Sequence, residues 1–406
     1  MTQPLLQATD LRGAARLTTD AVTGLTRLVE AMHARIASPP RWPRAGGAAA
    51  ADERTRGITR LVYGSVRGVT RLVGGSADAL FAWLTPILAA PDPQQPPRPE
   101  REAVLAALNG IVGDYLDASG NPLALSMAFR RDGQPLVLEP EALRARLTDA
   151  TPRLLILLHG LCMNDLQWQR AGHDHGLALA RDLGYTPLYL HYNSGRCIAA
   201  NGRELALLMQ RLLDAWPLPL ERLALIGHSM GGLVARSAIH HGGLMQGDGL
   251  SWPERVDDLI CLGSPHQGAP LERAGHGVDV LLGALPYAAP LARLGKLRSA
   301  GINDLRRGRI VGAAADEGSD HTATMRLPPG IRGGAIAASL GPAPGNLKAR
   351  LLGDGLVPVR SALGRHRNPE RCLNFDPDRQ AVIADTGHLD LLSSAQVYQL
   401  LQQWLR

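Results

Sequence analysis

Beyond residue 150, short apolar runs alternate with helical stripes. The runs Leu154–Leu158, Pro187–Tyr192, Leu223–Ile226, Leu259–Leu262, Gly333–Ser339 and Ala381–Ala384 are mostly apolar and bounded by turn residues. Runs of that length without polar alternation are what a strand shows when both its faces are covered. Between them, Arg203 to Trp216 carries a helical stripe through Leu205, Leu208, Met209 and Leu212, and Leu233 to His240 reads as a further helix. This alternation predicts an α/β fold, with βαβ units building a mainly parallel sheet covered by helices on both faces. Ahead of it, Asn121–Phe129 and Leu136–Leu138 flank Arg131-Asp-Gly-Gln134, whose Asp-Gly pair signals a tight hairpin.

The first 98 residues follow another pattern. Gly24–Val29, Gly57–Val62 and Gly68–Val73 are near-copies of one hexapeptide. Leu25, Leu28, Val29, Met32 and Ile36 form one apolar stripe; Ile58, Leu61, Val62, Val69, Leu72 and Val73 form another. Two proline-rich stretches, Ser38–Ala51 and Ala90–Arg98, read as connectors, since proline removes backbone donors and blocks helix. Residues 1–98 are therefore expected to be a helical N-terminal region, and residues 99–406 a separate α/β domain. The stripes suit two arrangements: an element lying on a lipid surface with arginines flanking its apolar face, or a helical pair packed on the following domain or on another subunit.

Composition narrows the class. With 45% hydrophobic and 20% charged residues, the 406-residue chain is ordinary globular material, and at 4% aromatic its core must be aliphatic. The net charge of +6 is carried almost wholly by arginine, with Lys296 and Lys348 the exceptions. No dense basic block interleaved with aromatics occurs, so no nucleic-acid partner is expected, whereas mild attraction to an anionic membrane surface fits. Cys162, Cys197, Cys261 and Cys372 are far apart and form no Cys-x-x-Cys pair, which predicts reduced, mostly buried thiols. The N-terminus has neither a basic segment nor a long apolar run, so no signal peptide is read. Ala79–Ala90 contains Pro86 and falls short of the roughly 20 residues a spanning helix needs. The expectation is a cytoplasmic protein, peripheral at most to a membrane, lipid droplet or granule. The oligomeric state is not legible.

The most specific chemical signal is Gly227-His-Ser-Met-Gly231, placed between a predicted strand and a predicted helix. That is the setting of a nucleophile elbow, in which small residues on either side let a serine stand on a sharp turn. Ser229 is the candidate nucleophile, with Gly227 and Gly231 giving it room. A serine needs a base and a site for the oxyanion. His159-Gly160-Leu161 follows the Leu154 run, so the main-chain N–H groups of Leu161 and Met230 are the candidate oxyanion donors. His159 itself reads as a loop-fixing histidine. The chain order Ser, Asp, His then points to Asp354, in the turn Gly353–Pro358, and to His388, at the end of the last strand; Asp385 is the alternative acid. Ser319-Asp-His321 is set aside, because three adjacent residues cannot converge as nucleophile, orienter and base.

Five motifs in this order, His159–Leu161, Gly227–Gly232, Gly263-Ser-Pro-His-Gln-Gly268, Asp354–Pro358 and Gly387-His-Leu-Asp390, resemble those of the α/β-hydrolase superfamily, and within it the bacterial lipases and esterases. The resemblance covers residues 150 to 406. It implies hydrolysis of carboxylic esters with apolar acyl groups through an acyl-enzyme, without a cofactor. A thioesterase, acyltransferase or polyester depolymerase shares the same three residues, and a non-catalytic lipid-surface protein is the reading from another class. The resemblance also implies an insert over about 270–330, either a lid or a fixed helical subdomain. Some such lipases hold structural calcium near the histidine. Asp390 matches one ligand position and no other ligand is recognisable, so no metal is expected.

Overall fold

In a computed structural model, residues 99–268, 299–311, 326–341 and 353–406 are described. The N-terminal near-repeats, Ala79–Ala90, Ser319–His321 and most of the 270–330 insert lie outside them. Apart from 121–123, the described residues belong to one unit, 92–120 with 124–406.

The sheet has eight strands: β1 (Ala128–Arg131), β2 (Gln134–Pro135), β3 (Arg153–Leu158), β4 (Thr186–His191), β5 (Arg222–His228), β6 (Asp258–Leu262), β7 (Arg332–Ala338) and β8 (Gln380–Ile383). Their order is β2-β1-β4-β3-β5-β6-β7-β8. Every pairing from β4 through β8 is parallel, and the β1–β2 hairpin adds antiparallel to the β4 edge. Asp132 and Gly133 both take positive φ, 55° and 72°, as a two-residue hairpin turn demands. Leu154 to Leu158 and Leu223 to Ile226 are all 0% exposed, so both faces of the central strands are covered. The apolar runs read from the sequence thus became strands because no face was left for polar side chains.

The covering helices are α1 (Pro99–Ala118), α2 (His175–Leu183), α3 (Ile198–Ala215), α4 (Met230–Leu244), α5 (Ala300–Arg307) and α6 (Ala395–Trp404). α3 and α4 pack closely: a Cβ on Gly202 would meet the Ser237 Oγ at 2.1 Å. α1 carries no readable stripe, because it is buried nearly all round from Glu102 to Ile111, with a kink at Val112. α5 is the described remnant of the 270–330 insert. It is docked rather than free-standing: the Ser299 Oγ donates to Gly110 O at 2.7 Å, and the Gly301 N–H to Gly195 O at 2.9 Å. Among the described residues no helix is long and apolar enough to cross a membrane.

The strand order reverses at one place. The chain runs from β3 to β4 on one side, then β5 returns on the other side of β3. Beyond the carboxyl ends of strands at such a switch point, α/β sheets leave a crevice. Here Leu158 pairs with Gly227, so the segments after β3 and β5 emerge side by side.

Candidate active site

Ser229 stands between β5 and α4 at φ 53° and ψ −120°, an unfavourable backbone for a residue with a side chain. The turn tolerates no bulk. A Cβ on Gly227 would lie 2.3 Å from Gly232 N, and one on Gly231 would lie 2.2 Å from Leu158 O. The Ser229 N–H donates to Leu262 O at 2.8 Å, tying the turn to the end of β6.

The loop after β3 approaches the serine from the other side. A Cβ on Gly160 would stand 3.1 Å from that of Ser229. His159 is fully buried and its partners are main chain: Nδ1–H donates to Gly160 O at 2.8 Å, and Nε2 accepts the Tyr192 N–H at 3.4 Å. Its ring stacks on Tyr192 with centroids 4.2 Å apart, and the Tyr192 hydroxyl donates to His159 O at 2.7 Å. Burial lowers its pKa to about 3, so the ring is neutral and fixes the loop. Cys162, at φ 60°, donates its N–H to the Ser194 Oγ at 3.0 Å. Leu161 and Met230, whose N–H groups are the candidate oxyanion donors, are both buried.

The candidate acid and base come from the β7 and β8 ends. Leu340 N–H donates to Gly353 O at 2.9 Å, which brings the 353–358 turn to the sheet edge. In that turn Asp354 Oδ1 accepts the N–H groups of Leu356 and Val357 at 2.9 and 2.8 Å. Its Oδ2 accepts from His388 Nδ1 at 2.6 Å, with both side chains nearly buried. A carboxylate only accepts, so Nδ1 carries the proton and the lone pair sits on Nε2. The His388 ring lies against Gly263, where a Cβ would be 3.1 Å from Cε1. Ser229 and His388 thus both touch the end of β6, at Leu262 and Gly263 respectively. Asp385, the alternative acid, is an exposed turn residue at φ 49°.

Asp390 is otherwise engaged. Its Oδ2 accepts the Gly387 N–H at 3.2 Å and its Oδ1 lies 3.7 Å from the Arg170 guanidinium. Among the described residues no three His, Cys, Asp or Glu side chains converge to hold a metal. All four cysteines are free; Cys162 and Cys261 are buried, and burial pushes both thiols up to about 12.

Three features of this edge were not read from the sequence: the contact of His228 with His388, the hold of Ser194 on Cys162, and α1 leaning on the same loop. A Cβ on Gly110 would meet the Cys162 Sγ at 2.2 Å. None of these follows from a local motif, because each joins residues distant along the chain.

A parallel sheet of this order, with an elbow after β5, a glycine loop after β3 and an Asp–His pair from the last two strands, is the α/β-hydrolase fold. Residues 150–284 match the PGAP1-like alpha/beta domain family. Among solved structures, the mature Bacillus licheniformis lipase BlEst2 is 18% identical at TM-score 0.41, over 62% of this chain and 91% of that one. A lipase-esterase related protein from Clostridium acetobutylicum is 14% identical at TM-score 0.37, over 63% and 95%. The NocB thioesterase domain, in covalent complex with a fluorophosphonate nocardicin G analog, is 18% identical at TM-score 0.36, over 64% and 96%. No curated protein matches the chain.

Proposed function

We propose that the protein is a serine hydrolase of carboxylic esters with apolar acyl groups, working through Ser229, His388 and Asp354. The observation that carries this reading is the 2.6 Å bond from His388 Nδ1 to Asp354, made beside the positive-φ turn of Ser229. His388 Nε2 takes the Ser229 proton as Oγ attacks the acyl carbonyl, giving a tetrahedral intermediate. The Leu161 and Met230 N–H groups receive its oxyanion. The alkoxide leaves with the proton returned by His388, and an acyl-enzyme remains. Water, deprotonated by the same nitrogen, then releases the acid. Asp354 orients the ring and stabilises its charged form. Apolar residues dominate this edge, Leu161, Met163, Val357, Leu389 and Leu391 all being buried there, which favours a greasy acyl group.

The test is labelling with a fluorophosphonate. Covalent modification is expected at Ser229, to be lost in Ser229→Ala. A folded protein that stays unlabelled overturns the reading. A series of p-nitrophenyl esters, with a matching thioester, sets the acyl length and separates ester from thioester cleavage. We also propose that residues 1–98 confer affinity for a lipid surface; glutamate at Leu28 and Leu61 is expected to reduce partitioning onto anionic vesicles, and unchanged partitioning would reject it.

A further inference from the structure

His228 has no part in the chemistry above, yet it is 0% exposed and adjacent to the nucleophile. Its Nε2 lies 3.1 Å from the main-chain carbonyl oxygen of His388. Its ring packs against that of His388, with centroids 4.8 Å apart and planes 47° apart. A carbonyl only accepts, so Nε2 carries the His228 proton. Nδ1 then holds a lone pair, and among the described residues it has no partner. It faces Gly160, where a Cβ would stand 3.2 Å away.

We infer that His228 is a positioning residue, which donates its Nε2–H to His388 O and so ties the base to the same turn that carries the nucleophile. The inference rests on the hydrolase reading and deepens it. His388 lies in a loop after β8, outside any helix or strand. Its bond to Asp354 orients the ring, but the acid belongs to a different turn from the serine. Through His228 the main chain of the base is referred to the β5–α4 turn itself, one peptide from Ser229. An error in the spacing of base and nucleophile would otherwise accumulate across two loops, and displacement of about 1 Å in such a pair costs on the order of 10²-fold in rate.

The ring is also held neutral. Burial comes first in holding the His228 pKa well below its usual value, followed by the nearby His388; Arg170 and His159 act in the same direction, and only the bond to His388 O opposes them. His228 therefore stays uncharged while its neighbour cycles through imidazolium, and it does not compete for the proton.

The experiment compares His228→Leu, which has no donor, with His228→Gln, which keeps one. The readout is the second-order rate of fluorophosphonate labelling across pH, with folding followed by circular dichroism. Leucine is expected to lower the rate about 10²-fold and to move the midpoint of the rising limb, which reports deprotonation of the base. Glutamine is expected to restore most of the rate and the wild-type midpoint. Wild-type rate and midpoint in both variants would overturn the inference, and an equal fall in both would reduce His228 to packing. Should neither variant fold, ring nitrogen-15 shifts of the intact protein decide: the Nε2–H tautomer is expected at His228, and the Nδ1–H tautomer overturns it. Wild-type protein that never labels would defeat the hydrolase reading instead, and the tautomer result stands apart from it.

Discussion

Ser194 holds Cys162: the serine Oγ accepts the Cys162 main-chain N–H at 3.0 Å, from the loop after β4. That bond takes up the N–H next to Leu161 and leaves the Leu161 N–H as the candidate oxyanion donor in a loop already held at positive φ. Ser194→Ala is expected to leave a buried N–H unpaired, at a cost of about 1–3 kcal/mol. Ester turnover should fall about tenfold in kcat with little change in KM, because the oxyanion forms only in the transition state. A rise in KM with kcat unchanged would speak against a role in the loop.

The Asp354–His388 pair predicts a hierarchy. Asp354→Asn keeps the volume but presents an amide to Nδ1, which favours the wrong tautomer of His388. Turnover is expected to drop about 10⁴-fold, with folding intact. Asp385→Asn, at the exposed neighbouring turn, is expected to stay within about twofold of wild type. Steady-state rates on one chromogenic ester measure both.

Two histidines make stability depend on pH. His159 is lowered to about 3 and His175 to about 4, in both cases chiefly by burial. Their unfolded value is near 6.5, so between there and the folded values the unfolded chain binds more protons than the native one. The contribution is complete above about 6.5 and is lost as pH falls toward 4 and then 3, with a slope of about 1.4 kcal/mol per pH unit for each ring. His175 also donates its Nε2–H to Leu391 O at 2.9 Å, which the charged ring would keep, while its Nδ1 faces His173 Nε2 at 2.8 Å, so charging it removes only the lone pair on that side. Urea unfolding at pH 7 and pH 5 should show the loss, and His175→Gln should flatten it.

At the opposite end of the sheet, Asp258 is 0% exposed and lies 2.7 to 3.0 Å from Arg379, Arg332 and Arg222. Asp258→Ala leaves three guanidinium groups facing one another. Arg379 is nearly buried and Arg332 about half exposed, so solvent relieves only part of the repulsion. A loss of about 3 kcal/mol is expected, read as a lower denaturation midpoint with labelling at Ser229 unaffected under native conditions.

Much of the sheet was legible because its strands are covered on both faces. Leu154–Leu158 and Leu259–Leu262 admit no polar residue, and each apolar run predicted beyond residue 150 falls on an observed strand, with ends displaced by at most two residues. Of the hairpin flanks, by contrast, Leu136–Leu138 lies past β2 and Asn121–Phe129 only overlaps β1. The elbow was legible for a local reason: only glycine fits at 227 and 231. What brings Asp354 to His388 is not local. It depends on Leu340 pairing with Gly353 and on the β7–β8 register, so chain order supplied the pairing that spacing alone does not. α1 escaped notice because it is buried on nearly every side and shows no amphipathic rhythm. The His228 and Ser194 contacts span 160 and 32 residues, beyond the reach of any motif.

The turn at Ser229 carries a cost that the folded protein bears whether or not substrate is present. Its backbone suits a residue with no side chain, and the hydroxyl is held there against that preference. On the proposed mechanism a chain with glycine at 229 would lack the nucleophile and, by the same geometry, would be relieved of that strain.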